Sequence, residues 1–153
     1  MQVLADSVQL KIKDLKKKTY KLKSKKGKKL KPAIQKSEFG YLTIAGEKVK
    51  HDVVIRLSGE VKKRKKQLSK ALYGTSHKIS IAEAKQIFQE GAEQLIIGAG
   101  HFNRVKLSAE AAAFYNRKQC AVLIQPTTVA VKTWNKSQGN IIGLFHVSCK
   151  YPY

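Results

Sequence analysis

Ser80-Ile81-Ala82-Glu83-Ala84-Lys85-Gln86-Ile87-Phe88 and, a few residues on, Gln94-Leu95-Ile96-Ile97-Gly98-Ala99-Gly100 decide the fold. The first run opens on a hydroxyl three residues ahead of a carboxylate. That is a capping box: Ser80 accepts from the third helical amide while Glu83 reaches back. Ile81, Ala84, Ile87 and Phe88 then form one apolar stripe at helical spacing, and Gly91 supplies a left-handed exit. The second run is continuously apolar, as a strand covered on both faces must be.

The same alternation continues towards the C-terminus. Ser108 caps a helix through Ala112 and Tyr115 to Lys118. Cys120 to Ile124 is a buried-type strand stopped by Pro126. Thr127 or Thr128 opens a third helix with Ala130, Val131 and Trp134 inward and Gly139 at its end, and Ile141 to Val147 is the last strand. Upstream, Asp52-Val53-Val54-Ile55-Arg56-Leu57 is a strand closed by the Ser58-Gly59 turn. Residues 53–147 thus read strand, helix, strand, helix, strand, helix, strand. This order predicts an α/β fold of three layers with a largely parallel sheet. Before it, Tyr41 and Thr43 with Gly46-Glu47 suggest a short strand and turn. Val61 to Lys70 is basic with no clean period and reads as a loop or exposed element.

Charge is distributed very unevenly. The 153 residues carry a formal net charge of +21, and residues 1–36 hold thirteen lysines against Asp6 and Asp14, a net +11. The alternation of Val8, Leu10 and Ile12 with Gln9, Lys11 and Lys13 is strand-like, and Lys25-Lys26-Gly27-Lys28-Lys29 resembles a turn. Residues 1–36 are therefore expected to be a Lys-rich arm, disordered or an edge hairpin, ahead of a compact α/β domain over 37–153. Such dense charge repels itself and is tolerable only in solvent or against an anion. Lys16, Lys17, Lys18, Lys25, Lys26, Lys28 and Lys29 are the anion-binding candidates of the arm. Lys62, Lys63, Arg64, Lys65 and Lys66 form a second basic cluster. Tyr20 is the one aromatic residue before Phe39, so phosphate contact is expected rather than base stacking on a single strand.

Few residues suggest chemistry. Gly98-Ala99-Gly100 follows a strand where a phosphate-cradling turn would sit, but the third glycine of a dinucleotide fingerprint is replaced by Asn103. The glycines are better read as allowing tight passage between layers. A pocket at that strand end remains the default ligand site of an α/β sheet, with Gly98, Gly100, His101 and Arg104 around it. His51, His77, His101 and His146 show no metal-ligand spacing, and no cofactor or metal is expected. Cys120 and Cys149 are too few for a disulfide framework. Asp52 and Glu83 are read as turn and cap residues. No apolar run is long enough to span a bilayer. The N-terminal residues lack a secretory apolar core and, being Lys-rich without arginine, do not suit a mitochondrial presequence, so a cytoplasmic location is expected.

Asp52-Val53-Val54-Ile55, Tyr73-Gly74-Thr75-Ser76-His77, Gly91 to Gly100 and the closing Gly143-Leu144-Phe145-His146-Val147-Ser148-Cys149 carry a family resemblance. Over residues 38–149 the chain resembles a bacterial-type member of a domain-of-unknown-function family. That family includes the adipogenesis-associated domain-containing protein and mitochondrial complex I assembly factor 3. The resemblance implies a mixed, mostly parallel central sheet with helices on one side and a small β layer. It also implies no established reaction, some members being assembly or interaction factors. Together these readings predict a non-enzymatic interaction module for an anionic macromolecule, RNA or DNA ahead of an acidic protein. The alternatives are a small-ligand-binding protein or enzyme using the Gly98–Arg104 pocket, and an assembly factor or subunit of a larger complex.

Overall fold

The structure is a computed structural model that describes residues 31–148. Fourteen elements occur among the described residues. They are β1 (Ile34–Glu38), β2 (Tyr41–Ile44), β3 (Glu47–Val49), β4 (Val53–Ile55), β5 (Val61–Lys63), α1 (Gln67–Tyr73), β6 (Lys78–Ile79) and α2 (Ile81–Ile87). There follow β7 (Gln94–Gly98), β8 (Lys106–Leu107), α3 (Ala109–Arg117), β9 (Ala121–Gln125), α4 (Thr127–Lys136) and β10 (Ile141–Phe145). The body consists of Pro32–Leu57 with 61–148. The turn Ser58–Glu60, in which the Glu60 amide donates to Ser58 Oγ at 3.2 Å, falls outside that unit.

The central sheet runs β9-β7-β10-β4-β5. β7 pairs in parallel with both β9 and β10, whereas β4 is antiparallel to β10 and β5 antiparallel to β4. The alternation of strand side chains splits the core in two. Val54, Leu95, Ile97, Ile142 and Leu144 face α2 and α3. Val53, Ile55, Ile96, Ile141 and Phe145 face α4 and the small antiparallel sheet β1-β2-β3, through Ala130, Val131, Trp134, Ile34, Leu42 and Ile44. The fold is thus the three-layer mixed α/β arrangement with a small β layer. One detail differs from the expectation, because α4 shares its face with the small sheet instead of joining the other helices.

The local signals hold where they depend on neighbouring residues alone. Ser80 Oγ accepts from the Glu83 amide at 3.1 Å, and Ser108 Oγ from the Ala111 amide at 3.1 Å. Val61 to Lys70 takes the second of its two expected forms, a mostly exposed element, as strand β5 followed by helix α1. Two readings change. The Cys120 to Ile124 run forms an edge strand, half-exposed from Val122 onwards, because β9 has β7 on one side only. The expected boundary after Lys36 falls inside β1, whose Ile34 is buried and donates its amide to Asn135 Oδ1 of α4 at 2.9 Å. Cys149 and Lys16, Lys17, Lys18, Lys25, Lys26, Lys28 and Lys29 of the arm lie outside the described residues.

Candidate functional site: a cationic basin beside a buried ion-pair network

Register brings the charged residues to one edge of the sheet. β7 and β10 end together, with Phe145 opposite Gly98. β4 runs the other way, so Val53 stands opposite Phe145, and Lys63 in turn stands opposite Val53. The residues one step beyond each of these positions therefore meet: Asp52, Arg64, His146 and the loop after Gly98.

Asp52 and Arg64 are buried there, contrary to the expectation that Arg64 belongs to an exposed basic cluster. Arg64 is 4% exposed. Its guanidinium donates from Nη1 to Asp52 Oδ2 at 2.9 Å, from Nε to Glu83 Oε2 at 2.6 Å, from Nη2 to Glu83 Oε1 at 3.0 Å and from Nη2 to the Ser76 carbonyl at 2.7 Å. Glu83 thus spends its carboxylate on Arg64 and on the Ser69 hydroxyl instead of reaching back to close the capping box. The Ser80 amide donates instead to Ser69 Oγ at 2.9 Å. Asp52 also accepts from His146 Nδ1 at 2.9 Å and from the Val147 amide at 2.8 Å. Burial alone would raise the Asp52 pKa. The His146 hydrogen bond and charge, the Val147 amide and Arg64 outweigh it and hold the carboxyl below its ordinary range. Burial works against the Arg64 charge in turn, but Glu83 and Asp52 outweigh it and raise the pKa. Lys62, Lys63, Lys65 and Lys66 stay exposed.

The loop after β7 has its amides committed. Ala99 donates to the Gln125 carbonyl at 2.8 Å, Gly100 to Thr127 Oγ1 at 2.7 Å and His101 to Ser148 Oγ at 2.9 Å. A Cβ at Gly98 would stand 2.8 Å from Phe145 Cδ1. At Gly100, where φ is +90°, one would stand 2.7 Å from His146 Cδ2. These glycines permit close packing, and the loop presents none of those amides to a phosphate. His101 also leaves the expected pocket, since its ring stacks on Phe39 at 4.2 Å.

Of the four expected pocket residues, Arg104 alone lines an open basin of about 460 Å³, together with His77, Lys78, Asn103 and Lys106. The basin is built by β6 and β8, which pair in parallel with Lys78 opposite Lys106; the Lys106 amide donates to the His77 carbonyl at 2.8 Å. Like charges at directly opposed positions destabilise a sheet. Lys78, Arg104 and Lys106 are exposed, and among the described residues none of the three has an ion-pair partner. Lys78 lies 4.4 Å over the Tyr73 ring and Arg104 5.8 Å from the Phe102 ring centre. His77 meets His146 edge to face at 5.4 Å, linking the basin to the buried network. Burial first, then the charges of His146, Arg104 and Arg64, lower the His77 pKa. The sequence held one sign of this site: Lys78-Ile79 and Arg104-Val105-Lys106-Leu107 alternate cation and apolar residue, as short strands with one basic face would.

Other reactive groups are withdrawn. Cys120 is buried, and burial pushes its thiol up to about 11. Among the described residues no three His, Cys, Asp or Glu side chains gather as metal ligands would, and no helix is long and apolar enough to cross a membrane.

Residues 34–140 match the family model described as protein of unknown function DUF498/DUF598. A solved structure of a conserved hypothetical protein from Pyrococcus horikoshii OT3 is similar at 30% identity with a TM-score of 0.69, over 76% of this chain and 98% of that one. The protein MT938 is similar at 28% identity with a TM-score of 0.64, over 77% and 99% of the two chains. A Bordetella pertussis protein described as a Mth938-like domain shares the fold at 13% identity, with a TM-score of 0.58 over 77% and 87%. No curated protein matches the sequence.

Proposed function

The chain belongs to the DUF498/DUF598 family of proteins of unknown function, and from that premise we propose that it is a non-enzymatic, cytoplasmic docking module for an anionic macromolecule, RNA or DNA ahead of an acidic protein. The observation that carries the reading is the pairing of Lys78 with Lys106 beside Arg104, three exposed cations around one basin whose lining, among the described residues, holds no carboxylate. An anionic partner relieves that repulsion on binding. The exposed Lys62, Lys63, Lys65 and Lys66 and the net +11 of residues 1–36 add to the same attraction. The withdrawn Cys120 thiol and the carboxylates committed to Arg64 support binding rather than turnover.

Filter binding of the full chain to RNA and to DNA across a salt series tests this. If about eight lysines contact duplex phosphates, log K falls against log salt with a slope near −7. Retention that is absent, or insensitive to salt, overturns the reading. A second reading, an assembly factor or subunit of a larger complex, is favoured by α1, where Leu68 and Leu72 are 37% and 63% exposed one helical turn apart. A protein partner captured by the full chain after nuclease treatment, and lost in Leu72→Ser, supports it.

A further inference from the structure

Two turns on the body each carry a phenylalanine at the tip, and the two tips meet. Phe39 and Gly40 form the two-residue link between β1 and β2, since Glu38 pairs with Tyr41. His101 and Phe102 are the central residues of a turn closed by the Asn103 amide on the Gly100 carbonyl at 3.2 Å. Turn tips ordinarily hold Gly, Asn, Asp, Ser or Pro, because nothing there covers a large apolar side chain. Phe39 and Phe102 are 42% and 52% exposed.

They are nevertheless held in an ordered stack. His101 lies nearly parallel to Phe39, at 4.2 Å and 19°, and Phe102 leans on Phe39 at 5.9 Å and 42°. The Gly40 amide ties the first tip to the Ser148 carbonyl at 2.8 Å, and Ser148 Oγ accepts from the His101 amide at 2.9 Å. The next residues of the second turn, Asn103 and Arg104, line the cationic basin. Rigid aromatic faces therefore continue directly into a row of unpaired cations.

We infer that this ridge and basin form a binding site for single-stranded nucleic acid, with a base stacked on Phe102 and the adjoining phosphates held by Arg104, Lys78 and Lys106. The inference rests on the proposed docking reading and specifies its partner. A duplex keeps its base faces stacked inside and offers only phosphates, whereas a single strand offers both parts that the surface matches. Arg104, 5.8 Å from the Phe102 ring centre, sets a positive charge beside the aromatic face, which favours an anionic occupant over an apolar one. On sequence alone a single strand is disfavoured, because Tyr20 is the one aromatic residue among the N-terminal lysines. In the structure the relevant aromatics adjoin a different set of cations.

The test uses the full chain and three fluorescent probes of equal phosphate number: a thymidylate single strand about 12 nucleotides long, the same backbone without bases, and a duplex. Fluorescence anisotropy is measured for the native sequence, Phe102→Ala and Phe39→Ala, with melting temperatures showing that each variant folds. The expected result is that Phe102→Ala weakens the single strand about tenfold and leaves the abasic strand and duplex unchanged. Phe39→Ala has a smaller effect of the same kind. If the native chain binds no probe, the docking reading itself fails. If it binds all three equally, or Phe102→Ala weakens the abasic strand as much as the thymidylate, docking stands and the single-strand inference is overturned.

Discussion

Arg64 and Arg104 both act on His77 through their charge, and they live in opposite electrostatic worlds. Arg64 is enclosed, with every hydrogen bond going to Asp52, Glu83 or the Ser76 carbonyl. Arg104 is exposed beside Lys78 and Lys106, with an aromatic ring for company and, among the described residues, no carboxylate partner. In both regions positive charge lies next to positive charge; what separates them is whether acidic residues have been folded in. Buried carboxylates turn an arginine into a structural tie between β4, β5 and α2. Their absence leaves an arginine available to a partner. A run of basic residues in the sequence therefore divides by register, not by composition.

Removing the guanidinium breaks this contrast most severely. Arg64→Met leaves Asp52 and Glu83 buried without their cation, and is expected to cost about 3–5 kcal/mol, read from urea unfolding. Arg104→Met is expected to change stability by less than about 0.5 kcal/mol while weakening nucleic-acid retention. Equal losses of stability would mean that the two arginines are not distinguished as the geometry describes. Ser69→Ala probes the same network at one remove. It leaves the Ser80 amide unpaired and takes a donor from Glu83, an expected cost of about 1–3 kcal/mol.

Acid probes the buried region through Asp52. The Asp52 pKa is held low in the folded chain. Its contribution to stability is present above the unfolded value, near 3.9, and is lost as pH falls through the folded value, which lies lower still. Asp52→Asn should flatten the decline in stability over that acidic window, followed by urea midpoints from about pH 5 downward. An unchanged slope would show that another carboxylate governs it.

How much of this could be read from the chain follows the range of the interactions. The Ser80 and Ser108 caps, the Ala130–Val131–Trp134 face and the β7 and β10 strands depend on neighbours within a few residues, and the sequence pattern contains them. Arg64 could not be placed that way. Its neighbours Lys62, Lys63, Lys65 and Lys66 hide the period of β5, and its partners are 12 and 19 residues away, brought to it by the β4–β5 pairing and by α2. The same limit moved the candidate pocket. Gly98 and Gly100 mark the end of β7, but Lys78 and Lys106 of the basin come from β6 and β8, strands of two residues each. So short a strand gives no periodicity to detect. The meeting of Phe39 with His101 was equally hidden, since it joins residues of two turns far apart in sequence.

The finest comparison lies in His77, which senses both regions. Burial, His146, Arg104 and Arg64 together hold its pKa below the ordinary value of about 6.5. The unfolded chain accordingly takes up the proton first as pH falls, and His77 weakens the fold in the window between those two values. A phosphate in the basin opposes the effect of Arg104 and favours the charged imidazole. The His77 proton resonance should then titrate at higher pH in the presence of an oligonucleotide than in its absence. By linkage, affinity should rise as pH falls from the bound-state midpoint to the free-state one. In Arg104→Met the free-state midpoint should already sit higher, because one repelling cation is gone, and the oligonucleotide should move it less. A His77 midpoint that stays fixed on addition of saturating oligonucleotide would place the bound phosphates away from the basin and leave the charge of Lys78, Arg104 and Lys106 without its proposed counterpart.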